Sequence, residues 1–309
     1  MSTRITADEL AQDALFFNRE LEQVLPRLYE VKRPVPNARR LLPMIDGIDP
    51  DTRVFIAQKL DWVGDVEAGE VGWKNDMGVS VIEGVRTEAL YPVRFIKSGI
   101  QWRDIDLRNA NKAGLPLEMK KLEQLYRRFL LRENELLWTG RSDMPGIYGV
   151  TTHPDLSTPT NLPSSATWDG GATAAEIYAD LIFMADYARS NSSFVYVEKS
   201  TILLPEEAYR IAATKQFSVA SDLTVLEYFR RNNADLIATI EPVRELDAAK
   251  VAVAYIRNPE YSGHALVEDI HGFDPKRYDK GYTQNFEMAT AGFVIFDQNS
   301  IRTFDQIIS

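Results

Sequence analysis

Two β-rich runs, "TRVFIAQKLDWV" (52–63) and "VSVIEGVRTEALYPVRFI" (79–96), flank a segment rich in glycine and charge. Their partial alternation and the glycines between them predict a long hairpin. At about 3.3 Å per residue its arms could reach roughly 40 Å. The stretch from Trp62 to Val85 has five glycines and two tryptophans but no continuous apolar face. A lone two-stranded hairpin is marginal in water, so a third strand or a neighbouring surface must cover it. Within a compact domain a third strand is the default; the proline-rich stretch before the hairpin and the glycines within it favour a neighbouring surface.

The 309 residues suffice for one large or two ordinary domains. A content of 45% hydrophobic and 26% charged residues is that of a globular chain in water. No apolar run approaches membrane-spanning length, and the start "MSTRITADELAQDALFFNRELEQ" is acidic where a signal peptide is basic and then apolar. Cysteine is absent, which excludes disulfides and thiolate metal sites and suits a reducing cytoplasm. A net charge of −10 opposes tight, sequence-independent binding to nucleic acid. It is compatible with lying beside nucleic acid without adhering to it.

Residues 7–31 carry Leu10, Leu15, Phe16, Leu21, Val24, Leu25 and Leu28 at helical spacing, with Pro26 ending or kinking the helix. "KRPVPNARRLLP" follows, with three prolines in twelve residues, and is expected to be extended and only loosely tied to a core, as a surface linker or an arm lying on another molecule. After the hairpin, Pro116 and Gly140 bracket a long helix. Met119, Leu122, Tyr126, Phe129, Leu130, Leu136 and Leu137 form its apolar stripe, opposed by basic residues on a solvated face. The Ser-, Thr-, Pro- and Gly-rich stretch 151–171 is the best candidate domain boundary. Thr173 and Glu176 then have capping-box spacing, and 172–258 reads as a mixed α/β unit. The tail again reads as strands that return towards the long helix.

Chemistry-bearing patterns are scarce. His153, His264 and His271 stand in loop-like sequence without paired-ligand spacing, so solvated loop residues are expected rather than a metal site. "DGGATAAE" lacks the lysine of a phosphate-binding loop and reads as a helix start. There is no GxSxG, and carboxylates such as Glu241 and Glu245 are too plentiful to single out a hydrolytic pair. No catalytic, cofactor or metal residue is assigned.

The order of elements is more informative: an amphipathic arm, a proline-rich stretch, a glycine-tipped hairpin, a long helix, an α/β insertion and returning strands. Together with "FFNRELEQVLPRLYEVKRPVPNARRLLPM", "ENELLWTGRSDMPGIYGV", "STILLPEEAYRIAAT" and "SDLTVLEYFRRNN", this order resembles the HK97-like major capsid proteins of tailed bacteriophages, over roughly residues 15–309. The resemblance implies an α+β fold with an N-terminal arm (1–51), an extended hairpin loop (52–98) and a peripheral domain with a spine helix (99–150). An axial α/β domain (151–257) and a return to the peripheral domain (258–309) complete it. It further implies pentamers and hexamers in an icosahedral head around double-stranded DNA, with scaffolding, portal and decoration proteins as further partners and no membrane. The subunit would assemble in the bacterial host cytoplasm and end in the virion.

Under this resemblance the hairpin lies on a neighbouring copy, and Trp62, Trp73, Lys74 and Val79 are its contact candidates. Some members join subunits through a lysine–asparagine bond promoted by a glutamate. The tail "MATAGFVIFDQNS" offers no such glutamate, so Lys74 is expected to be a solvated loop lysine. Two alternatives stand beside the phage head. One is an encapsulin-like nanocompartment shell; the other is a cytoplasmic hydrolase using carboxylates of the α/β region, which leaves the arm and hairpin unexplained.

Overall fold

The computed structural model describes residues 34–63, 83–105, 117–191, 198–218 and 221–309. The helix expected over 7–31 and the hairpin tip lie outside these described residues. A short helix α1 (Ala38–Leu41) and strand β1 (Met44–Ile45) lead into the hairpin strands β2 (Val54–Val63) and β3 (Glu83–Pro92), followed at once by β4 (Arg94–Arg103). The long helix α2 (Leu117–Thr139) precedes β5 (Thr160–Asn161), α3 (Ala174–Asn191), β6 (Ser200–Leu204) and α4 (Glu206–Thr214). Next come β7 (Gln216–Ser218), β8 (Ser221–Thr224), α5 (Val225–Asn232), β9 (Ile237–Pro242) and β10 (Ala252–Ile256). The tail supplies β11 (Ser262–Gly272), β12 (Lys276–Tyr278), β13 (Gly281–Ile295) and β14 (Ile301–Asp305).

Ten of these strands form two five-stranded sheets, and β7 and β8 form a short antiparallel ladder of their own. In the first, β13 pairs with β4 on one side and with β11 and β12 on the other, and β1 joins β11 in parallel. The second has the order β5-β14-β10-β6-β9. The hairpin β2–β3 is a separate ladder, paired without slip from Val54↔Pro92 to Val63↔Glu83. The expected second run therefore breaks at Val93. Its first part is hairpin and its second part, β4, is a strand of the main sheet, the change being marked where the Val93 amide bonds Arg53 O. The tail also divides. It returns to the region of the long helix, with β13 pairing β4 beneath α2, but its last strand, β14, crosses to β10 in the other sheet.

The alternation of β4 explains where α2 lies. Ile96, Ile100 and Trp102 face one way and, with Phe286 and Met288, meet Leu125, Phe129 and Leu136 of the helix. Each such side chain, fully buried, contributes about 1.5–3 kcal/mol. The predicted stripe holds for Phe129, Leu136 and Leu137, whereas Met119 is 64% and Tyr126 is 42% exposed. Leu125 and Trp138 take buried places instead. One face of the helix suffices where it covers the sheet, but its last turns enter the junction between the sheets and are enclosed more fully. Gly140 ends it at φ +64, where a Cβ would lie 2.6 Å from Thr152 Oγ1. No side-chain-bearing residue suits that turn.

The second sheet packs on α3, whose Ile177, Leu181, Met184, Ala185 and Ala188 recur at helical spacing and are buried. The Thr173–Glu176 capping box forms as predicted, with Glu176 N–H donating to Thr173 Oγ1 at 3.2 Å and Thr173 N–H donating to Glu176 Oε2 at 2.7 Å. Residues 151–171 carry the chain from the first sheet to the second and are tied down, with Leu156, Leu162 and Trp168 buried.

Candidate functional site

The hairpin has two unlike faces at its root. Phe55, Ala57 and Tyr91 turn inward onto Ala265, Val267, Ala289, Ala291 and Val294. Phe55 also meets Phe296 edge-on with ring centroids 6.0 Å apart. Buried His153 secures this root. Its Nδ1 accepts the Asp155 amide at 3.2 Å, which leaves the proton on Nε2, 3.3 Å from the Tyr91 hydroxyl. The hydroxyl in turn donates to Ile295 O at 3.4 Å. Burial holds the His153 imidazole below its ordinary range and therefore neutral.

On the outward face, Val54 and Ile56 are each 46% exposed and Leu90 is 64% exposed. Ile56 and Leu90 are direct cross-strand partners, and Val54 stands two residues along the same face. Three adjacent large aliphatics on a two-stranded ladder form a patch that this subunit leaves uncovered among the described residues. Of the predicted contacts, Trp62 is placed in β2 opposite Gly84, whereas Trp73, Lys74 and Val79 lie outside the described residues. The sequence reading missed Val54, Ile56 and Leu90. For Val54 and Ile56 the signal was the period-two spacing of the first arm, masked by Phe55 between them; Leu90 follows only from its cross-strand pairing with Ile56.

The second feature is the segment around α1, which departs from the extended, loosely tied stretch expected there: Ala38–Leu41 is helical, and Ala38, Leu41 and Leu42 are buried in a core cluster. Four residues of helix have no stability of their own, and Asn37 provides no side-chain cap. The cap comes from α2 instead. Asn134 Oδ1 accepts the amides of Asn37 and Ala38, both at 2.9 Å. Trp138 Nε1 donates to Asn37 Oδ1 at 2.8 Å, and Glu245 accepts from Asn134 at 2.6 Å. Arg39 Nε bonds Glu133 at 2.7 Å, while its Nη2 bonds Asp269 at 2.8 Å. Arg40 makes a two-pronged pair with Glu241, and Arg257 Nη2 donates to Arg40 O at 2.7 Å. Burial pushes the Glu133 carboxyl up, against the pull of Arg39; the Arg39 bond holds Asp269 low.

His264 and His153 are not the solvated loop residues expected. His264 lies within β11, not in a loop, and is 1% exposed. It sits 3.1 Å from Thr290 Oγ1 and 3.5 Å from Glu133, and burial drives its pKa down to about 3. Small flanking residues in "SGHALV" admit the ring between strands, a context that composition alone disguises as loop. His153 is likewise buried.

Nothing in this arrangement converges as a reaction centre would. Glu241 and Glu245 hold the α1 segment. The face of the first sheet opposite α2 has an open groove of about 710 Å³ lined by Gly99, Asn285 and Phe273, where Lys97 and Glu287 pair at 3.2 Å. No group of three or more metal-ligating side chains occurs among the described residues, and no helix among them is long and apolar enough to cross a membrane.

An extended two-faced hairpin, a sheet backed by one long helix and a second α/β sheet define the HK97-like class of shell-forming folds. Solved structures agree. The capsid of Myoviridae phage XM1 superposes with a TM-score of 0.77 at 15% identity, covering 98% of this chain and 99% of that one. Mycobacterium phage Adephagia gives 0.63 at 10% identity over 98% of both chains. A virus-like particle from Pyrococcus furiosus gives 0.51 at 12% identity over 86% of this chain and 91% of that one. A comparison with curated proteins finds no match. The family model for the major capsid protein matches residues 61–307. This chain belongs to the major capsid protein family, the proteins that form the shells of phage heads and so a component of the virion.

Proposed function

We propose that the subunit associates head to tail into pentamers and hexamers, each hairpin lying on the next copy, and that these close into an icosahedral head around double-stranded DNA. The observation that carries this reading is the outward patch of Val54, Ile56 and Leu90 on a strand pair that its own subunit covers on one face. Heterologous contacts close into rings when the rotation permits. Several modest interfaces per subunit make assembly cooperative. In this reading α2 with the first sheet is the peripheral domain and the second sheet with α3–α5 is the axial domain. The tip residues Trp73 and Val79, with Trp62, add contacts on the neighbour, and Lys74 stays solvated. The net charge of −10 keeps the inner wall from gripping packed DNA. Assembly takes place in the bacterial cytoplasm, with scaffolding, portal and decoration proteins as further partners. The role is structural, with no catalytic step.

Replacing Val54, Ile56 and Leu90 together by threonine tests it. Exposed positions shift folding stability by only about 0.5 kcal/mol each, so the subunit should unfold almost as the parent does. Closed particles in negative-stain micrographs should nevertheless become rare or vanish. Parent-like yields of shells from the triple variant would refute the hairpin's role in association.

A further inference from the structure

We propose that Arg39 and Arg40 are positioning residues that set the angle between the two sheets of the subunit, and through it the curvature of the shell. The shell itself is the function proposed above; the clamp concerns how its geometry is fixed. These neighbouring side chains reach in opposite directions. Arg39 spends its fork on Glu133 of α2 and Asp269 of β11, both on the side of the first sheet. Arg40 pairs with Glu241 on β9, the edge of the second sheet, and its carbonyl takes Arg257 just beyond β10. A third tie crosses the same junction, where Glu245 joins Asn134 of α2.

Beneath the clamp lies an apolar junction core. Ala38, Leu41 and Leu42 meet Leu137 and Trp138 of α2, Leu203 and Tyr255 of the second sheet and Phe293 of the first. Apolar packing has no preferred direction, so it resists separation of the two halves far more than a small rotation between them. Two-pronged guanidinium–carboxylate pairs are planar and directional. The core therefore holds the halves together while the arginines choose their angle. Arg40 is 61% and Glu241 25% exposed, so their pair adds little to folding stability. Its geometry is still specified from both ends. In a ring, a small angular error repeats at every subunit, and contacts whose rotation does not close give open arrays.

The test uses the full chain with Arg40→Ala, Glu241→Ala and the double variant. Melting temperatures of unassembled subunits should stay within about 4 °C of the parent. Particles should show a shifted or broadened diameter, or fail to close into shells. The double variant should behave like either single one, because the pair is lost in all three. Arg40→Lys keeps the charge without the fork and should fall between parent and Arg40→Ala. Small-angle scattering from unassembled subunits reads the same angle independently of assembly, and Arg40→Ala should broaden the distribution of interatomic distances. Parent-like particles together with a parent-like scattering curve from Arg40→Ala would overturn the clamp, as would loss of cooperative folding, which would reduce the pair to a fold element. If the unmodified chain formed no particles, the shell reading would fail, and the scattering comparison would still decide the clamp.

Discussion

Acid should destabilise the folded subunit from about pH 6.5 downward, by about 1.4 kcal/mol per pH unit through His264. His264 is the main source. Folding lowers its pKa from 6.5 to about 3, so between those values the unfolded chain binds a proton that the native state refuses. Its stabilisation is complete above 6.5 and is drawn down as pH falls towards 3. A drop to pH 4.5 therefore removes on the order of 2–3 kcal/mol through this residue. His153 acts in the same direction, because burial also lowers its pKa. Glu133 acts against them: its raised carboxyl takes up a proton more readily in the folded state. Asp269, held low by Arg39, adds to the loss only at still lower pH. Urea midpoints of unassembled subunits measured from pH 7 to 4.5 should fall for the parent and fall less steeply for His264→Gln. The slope is the readout, since the substitution also changes packing. Parallel slopes would show that His264 does not carry the effect.

Trp138→Ala should cost about 3–5 kcal/mol, enough to leave a marginal subunit largely unfolded at growth temperature. The indole is fully buried in the junction core, where it meets the α1 segment from below. Three losses coincide. A large cavity opens, Asn37 Oδ1 loses the donor at 2.8 Å, and α1 loses one of the few groups that hold it. Trp138→Phe keeps most of the volume and should cost about 1–3 kcal/mol, mainly through the orphaned acceptor. Thermal or urea unfolding of both variants distinguishes the contributions. Equal, small effects would mean that the junction collapses around the gap and that the α1 segment is held elsewhere.

Elements with a local cause were legible in the sequence. The long helix announced itself through Pro116, Gly140 and its apolar period, and α3 through the Thr173–Glu176 box. The hairpin followed from β-branched and aromatic residues around glycines, and the returning strands from their apolar runs. The exposed aliphatic patch was less legible. The contact candidates Trp62, Trp73, Lys74 and Val79 belong to the outer hairpin, of which Trp73, Lys74 and Val79 lie outside the described residues, and the described root adds aliphatic Ile56 and Leu90, uncovered on the outward face. An exposed aliphatic and a buried one look the same in a strand until the ladder's inner face is known.

The junction was not legible at all. "NARRL" reads as a basic, proline-flanked stretch, and nothing local says that Arg39 meets carboxylates 94 and 230 residues away, or that Arg40 meets one 201 residues away. His264 looked like a loop residue for the same reason. Short-range periodicity, caps and turns are written in neighbouring residues, so the identity of most elements, their order and the family they match could be read along the chain. Which strand of the tail joins which sheet, which side chains are sealed away and where charges pair depend on residues hundreds of positions apart coming within a few ångströms. Those matters are settled by packing, because burial and ion-pair geometry are properties of the assembled volume and have no counterpart in local sequence.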